Sequence, residues 1–354
     1  MRLGHVPALD AIRGIAILLV LAVHADHAVP GGALGVDLFF VLSGFLITSL
    51  LLTEWDRDAT FSLRSFYRRR AFRLLPALVV MLAVVSAAAV LTADDVGGQL
   101  VWVLYSLGYV INFTALLEEG IGNASLQHMW SLSQEEQFYL VWPVLLLLLL
   151  RAGLRPRVLA GLLGGTAAAL LVYRGVLESN GVSVSFLLYA PDMRGVGLVL
   201  GCLAAVVFTG GLVRRVPGWL ATASLVPAVL AVALFTLDGR WQAVYLVPEF
   251  CLAAAVVLLA CVLHPGWWFA RLIDRAWLRG LGRISYGLYL WHIPVYVAVG
   301  WVVGLPIAIL VAVLSYRFVE QPFLTRRHRT REPRDAAPVP VEPLPAPAVQ
   351  ASSA

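Results

Sequence analysis

The sequence predicts an all-α, polytopic membrane bundle of about ten transmembrane helices with both termini in the cytoplasm. Three observations carry that expectation. Of 354 residues, 60% are hydrophobic and only 13% charged, with a mean hydropathy of +0.84, outside the range of soluble globular domains. Apolar stretches that suit a bilayer core about 30 Å thick, which takes roughly 20 residues per helix, recur from Val6 to Phe323. The arginines divide unequally between alternate loops. All 26 residues of the Lys+Arg count are arginines, which excludes lysine Schiff-base and lysine general-base chemistry. They lie in short loops between apolar runs rather than on a soluble basic surface, which argues against nucleic-acid binding.

The first apolar run, residues 6–25, is interrupted by Asp10 and Arg13 and has no small-residue cleavage site after it. It therefore reads as a membrane helix and not as a secretory signal. Further helices are expected at 35–53, 74–91, 138–150, 158–173, 195–209, 219–237, 244–263, 284–301 and 303–318. Their near-continuous apolar composition favours helices over barrel strands, which alternate in segments of about 10 residues. The short run 99–112 is decided by charge. If it does not cross, 22 arginines lie inside and three, Arg174, Arg194 and Arg240, outside; if it crosses, 10 lie inside and 15 outside. Arginine prefers the cytoplasmic side, so this run is read as an interfacial or re-entrant segment on the outer face.

Beyond Arg334 the chain turns to Pro, Ala and Val. The expected division is a membrane domain over 1–325 and a disordered, partly polyproline-like cytoplasmic tail over 326–354. Cys202, Cys251 and Cys261 have no metal-ligand spacing and read as packing residues; no metal site is expected. Gly161 with Gly165, Gly197 with Gly201 and Gly300 with Gly304 have the spacing of close helix packing.

Ionisable groups inside a membrane cost at least about 2.5 kcal/mol unless paired or lining a cavity, so they mark the chemistry. Asp10, Arg13 and His24 fall on one face of the first helix, with His24 near the outer end and Arg13 about 16 Å deeper. Asp37 opens the second helix within Gly35-Val36-Asp37-Leu38-Phe39-Phe40. It reads either as a carboxylate that holds the His24 tautomer or as a charge favoured at a helix start. The loop at 54–73 carries Arg69, Arg70 and Arg73 among six arginines. Arg70 and Arg73, three apart on a helix, form a fork suited to phosphate or diphosphate. On the outer side, His128, Trp130, Glu135 and Glu136 precede an apolar run, a set suited to sugar recognition or proton transfer. Ser133 with Glu136 also fits a capping box. Ser285-Tyr286-Gly287-Leu288-Tyr289-Leu290-Trp291-His292 puts His292 about 13 Å from the cytoplasmic end of its helix.

Arg13 and His24 ten residues apart, the run from Asp37 to Ile47, Arg70 with Arg73, the His128 and Ser285 segments, and Arg317-Phe318-Val319-Glu320-Gln321-Pro322 occur in one order over residues 8 to 323. In that order they resemble acyltransferase family 3. The resemblance implies transfer of an acyl group, commonly acetyl, from cytosolic acyl-CoA to a hydroxyl of an envelope glycan, lipid or secondary metabolite in the bacterial cytoplasmic membrane. It implies a catalytic His24 and donor binding by Arg70 and Arg73. The combined reading assigns Arg13, Asp37, Glu135, Glu136 and His292 to the catalytic region, Arg69 to the donor, and His128, Trp130, Tyr286 and Tyr289 to substrate binding. Many glycan-modifying relatives carry a soluble domain where this chain has its tail, which sets an expectation against a two-step relay to a polysaccharide. Transport of a lipid-linked sugar is the alternative; it would account for buried charges but not for a cytoplasmic phosphate fork.

Overall fold

A computed structural model describes residue 4 and residues 6–25, 29–92, 96–116, 123–235 and 242–323. The expected tail, Arg2 and Arg240 lie outside the described residues. The described residues are helical, with no strand among them. In chain order the helices are α1 (Pro7–His24), α2 (Leu34–Asp58), α3 (Leu63–Thr92), α4 (Val96–Leu107), α5 (Ile111–Leu116), α6 (Met129–Arg151), α7 (Pro156–Ser179), α8 (Val184–Tyr189), α9 (Pro191–Arg194), α10 (Val196–Thr209), α11 (Gly218–Leu234), α12 (Val247–Leu263), α13 (Trp268–Ile273), α14 (Ala276–Val299) and α15 (Trp301–Leu314).

Among the described residues, seven helical segments are long and apolar enough to cross a membrane: those around α1, α2, α3, α7, α10, α12 and α15. The other three expected helices are present as α6, α11 and α14. At 17 residues α11 is about 26 Å long, and α6 and α14 carry charges within their spans. The 12-residue α4 covers about 18 Å, too short to cross.

Three helices begin well before the apolar windows suggest. α3 starts at Leu63 and takes in the arginine run, α6 starts at Met129, and α14 at Ala276. Arg, Leu, Glu and Gln are strong helix formers, so a charged turn continues a helix whenever its side chains have a polar place to go.

The bundle has a buried centre and an exposed rim. α2, α10 and α12 are mostly covered by other helices, whereas α3, α7 and α15 expose most of their apolar surface, as expected for helices facing lipid. Glycines set the closest approaches. A Cβ on Gly44 would strike the backbone of α10, and one on Gly201 the backbone of α2; Gly14 and Gly282 stand in the same reciprocal relation between α1 and α14. The packing expectation therefore holds for Gly197 and Gly201 but not for Gly161 and Gly165, which face open space. Gly300, at φ +73°, makes the turn between α14 and α15 instead.

Candidate functional site

Two polar regions inside the bundle hold most of the expected site residues, beside a buried Asp37–Arg194 pair. The first lines a cavity of about 840 Å³, mouth included, between α1, α2, α3, α6 and α14. Arg13, Arg70, Arg73, Glu135, Tyr139 and Tyr286 are among its walls. Arg70 Nη2 donates to Glu136 Oε1 at 2.7 Å and Nε to both carboxylate oxygens at 3.1 Å. Its guanidinium also stacks 3.0 Å from the centre of the Tyr139 ring. Glu135 accepts hydrogen bonds from Ser43 Oγ and Tyr139 OH. Both carboxylates are thus engaged by groups of α2, α3 and α6.

Arg13 and Arg73 remain. Both line the cavity, and no ion pair holds either one among the described residues. Of the Arg70–Arg73 fork expected from spacing, Arg70 is engaged by Glu136, while Arg73 shares the cavity wall with Arg13. Arg69 turns away from the cavity, to Ser65 Oγ at 2.6 Å and Glu54 at 3.4 Å. The expected capping box is absent: Ser133 Oγ donates to the Met129 carbonyl and Glu136 pairs with Arg70.

The second region is a cluster of histidines where α1, α14 and the start of α6 converge. The His292 ring centroid lies 5.0 Å from that of His24 and 5.1 Å from that of His128. His24 Nδ1 is 2.8 Å from the Val20 carbonyl and 3.3 Å from His292 Nε2. A carbonyl only accepts, so the proton sits on His24 Nδ1, leaving Nε2 as the basic nitrogen. By the same reasoning His292 donates from Nδ1 to the Tyr289 carbonyl at 2.7 Å and presents the Nε2 lone pair to His24.

His128 owes its position to a proline. Pro294 has no N–H, which frees the Leu290 carbonyl from its helical partner, and His128 Nε2 donates to that carbonyl at 3.2 Å. Tyr289 joins the two regions. Its ring lines the cavity and lies 5.6 Å from His292 and 5.5 Å from His128, while its hydroxyl bonds Ser131 and the His128 carbonyl. Tyr286 OH, by contrast, donates to the Leu74 carbonyl at 2.8 Å and ties α14 to α3.

Asp37 is not the partner of His24. It is fully buried and pairs with Arg194 at 2.9 Å; a backbone carbonyl takes the orienting role expected of it. Arg194 also lies 5.5 Å from the Trp130 ring centre, and Trp130 meets Tyr189 edge-on at 5.1 Å. Arg174, 1% exposed, donates to the Met193 and Leu187 carbonyls at 2.6 and 3.0 Å. Arg174 and Arg194 read from the sequence only as outer-loop charges. Their signal was an arginine beside an apolar run, with an unmatched acid, Asp37, in the second helix.

Comparison with known proteins shows the family. A family profile described as an acyltransferase domain matches residues 6–318. The chain is 32% identical over 345 residues to the peptidoglycan O-acetyltransferase OatA of Listeria monocytogenes, covering 90% of this chain and 56% of that protein. It is 33% identical over 357 residues to the putative peptidoglycan O-acetyltransferase YrhL of Bacillus subtilis, with 92% and 56% covered. It also matches a putative O-acetyltransferase of Staphylococcus aureus at 32%, with 91% and 58% covered. The chain thus spans little more than half the length of these relatives. No solved structure matches it. A helical bundle that crosses the cell membrane several times, matched over nearly all its described length, belongs to acyltransferase family 3.

Proposed function

We propose that the protein transfers an acetyl group from acyl-CoA, entering from the arginine-rich side, to a hydroxyl of an envelope glycan. One observation carries this reading: a cavity whose wall holds Arg13 and Arg73, neither in an ion pair among the described residues, ends, at Tyr289, against a cluster of histidines. The relatives named for peptidoglycan O-acetylation support a glycan acceptor and give transport of a lipid-linked sugar no support.

Arg13 and Arg73 hold the donor phosphates, and Arg70, locked by Glu136 and Tyr139, holds the wall beside them. Arg13 lies eleven residues from His24 along α1, about 16 Å, so it serves the donor and not the oxyanion. The pantetheine arm runs from the arginines past Tyr289. His24 Nε2 takes the proton of the acceptor hydroxyl, whose oxygen attacks the thioester carbonyl. The tetrahedral intermediate collapses to the ester, and the thiolate leaves with the proton as CoA–SH. As His24 becomes an imidazolium, its Nδ1–H is held by the Val20 carbonyl and the His292 lone pair. Preorganised acceptors of this kind need no rearrangement when charge develops. The Asp37–Arg194 pair fixes α9 against α2 and Trp130 at the outer approach to the histidines.

Membranes holding the protein and supplied with acetyl-labelled acetyl-CoA are expected to pass the label to a glycan fraction. Label confined to the CoA pool, with no acceptor fraction gaining it, would overturn the reading.

A further inference from the structure

Arg317-Phe318-Val319-Glu320-Gln321-Pro322 belongs to neither polar region as described so far. There α15 runs on as a π-helical turn, Ser315–Glu320, a rare form that recurs at functional sites. Its last residue is a carboxylate, 4% exposed, and no ion pair holds it among the described residues. Glu320 Oε1 accepts a long hydrogen bond from Ser315 Oγ, at 3.5 Å. A carboxylate so buried is costly unless an opposite charge answers it. Three contacts show which one does. Phe323 stacks on Phe72 of α3, with ring centroids 6.5 Å apart. Glu320 Oε1 lies against Gly287 of α14, where an added Cβ would come within 3.1 Å of it. Tyr286, one residue before Gly287, donates to the Leu74 carbonyl of α3 at 2.8 Å. Phe72 and Leu74 flank Arg73, so the end of α15 is held against the turn of α3 that carries this arginine.

On the reading that Arg73 takes the donor phosphates, we propose that Glu320 is a positioning residue for the acyl donor: its negative charge keeps the Arg73 guanidinium at the cavity wall. Arg73 is the cation that acts on Glu320, while Arg13, the other arginine of that wall, repels Arg73. Without a counter-charge behind it, a long and freely rotating side chain would swing away from Arg13. A guanidinium ordered before its ligand arrives binds that ligand more tightly. Distance matters as much as sign. Arg70, at 2.7 Å from Glu136, is taken up by its acid; Glu320 stays outside ion-pair range and steadies Arg73 without occupying it.

Equilibrium binding of acetyl-CoA to the full chain in detergent tests the assignment, in both the wild-type and the Arg73→Gln background. Glu320→Gln keeps the shape and removes the charge, and is expected to raise Kd about three-fold or more, as suits opposite charges that do not touch. Glu320→Asp changes the shape and keeps the charge, and is expected to stay within about two-fold of wild type, since a field falls slowly with distance. A purely structural role would reverse that order. In the Arg73→Gln background Glu320→Gln is expected to have no further effect, because the two residues act as one pair. Wild-type or tighter binding by Glu320→Gln, weaker binding by Glu320→Asp than by Glu320→Gln, or an equal loss in both backgrounds overturns the proposal and leaves the donor reading standing. Wild-type binding by Arg73→Gln alone, or no binding by wild type, overturns the donor reading and this role of Glu320 with it.

Discussion

The two polar regions of the bundle solve the burial of polar groups in opposite ways. Around the cavity, charge is met by charge: Arg70 is clamped by Glu136, Glu135 is held by Ser43 and Tyr139, and two arginines are left facing open space. In the histidine cluster the ring nitrogens lean on the backbone carbonyls of Val20, Tyr289 and Leu290. A region with spare cations suits the binding of a phosphorylated donor. A region of oriented imidazoles suits the removal of one proton. On the proposed reading, binding and chemistry are separated by about 16 Å along α1, and variants in each region should fail in different ways.

The largest expected effect lies in the histidine cluster. His24→Ala removes the proton acceptor, and loss of a general base costs about 10²- to 10⁴-fold in rate. His24→Gln should fail as well, because an amide takes no proton near neutral pH. Initial rates with labelled acetyl-CoA measure both, and retention of more than about a tenth of wild-type kcat by either well-inserted variant contradicts the role.

The clamp in the cavity comes next, and it reads in stability. Arg70→Met alone leaves Glu136 buried without a partner, a loss of about 3–5 kcal/mol. Arg70→Met with Glu136→Leu should recover most of that loss in a thermal melt in detergent, since apolar replacement of a whole buried pair is often neutral. A double variant no more stable than the single would mean that the pair carries little of the wall's stability.

Donor binding should respond less steeply. Charge-assisted contacts contribute about 1.5–3 kcal/mol each, so Arg13→Gln and Arg73→Gln should each raise KM for acetyl-CoA about ten- to a hundred-fold, with kcat little changed. A fall in kcat at unchanged KM for Arg13→Gln would move that residue back to the reacting carbonyl. Smallest of all is Tyr289→Phe, which removes only a hydroxyl bonded to Ser131 and to the His128 carbonyl. At about 1 kcal/mol for a neutral hydrogen bond, it should slow transfer by no more than several-fold; a loss approaching that of His24→Ala would give the hydroxyl a direct part in transfer.

Much of this was legible in the sequence because intramembrane charge is rare enough to mark a site. Arg13, His24, Arg73, Glu135 and His292 all prove to line one polar region or the other. What the sequence hid was partnership and depth. Hydropathy windows end at charges, so Arg70 read as cytoplasmic and Glu136 as outer. Yet Arg70 lies about 10 Å along α3, and Glu136 about 22 Å along α6 from Arg151, where the two helices meet. Asp37 showed the same limit, since Arg194, 157 positions away, is a partner that no local spacing reveals. Pro294 was the overlooked local clue. Two residues after His292, it leaves a carbonyl four residues back in want of a donor, and His128 supplies one.

Equilibrium binding of acetyl-CoA to purified variants tests the separation of binding from chemistry most directly. His24→Gln, though inactive, should bind with wild-type affinity, whereas Arg13→Gln with Arg73→Gln should bind the donor at least ten-fold more weakly. Donor affinity lost in His24→Gln and kept in the double arginine variant would contradict the assignment of the two regions.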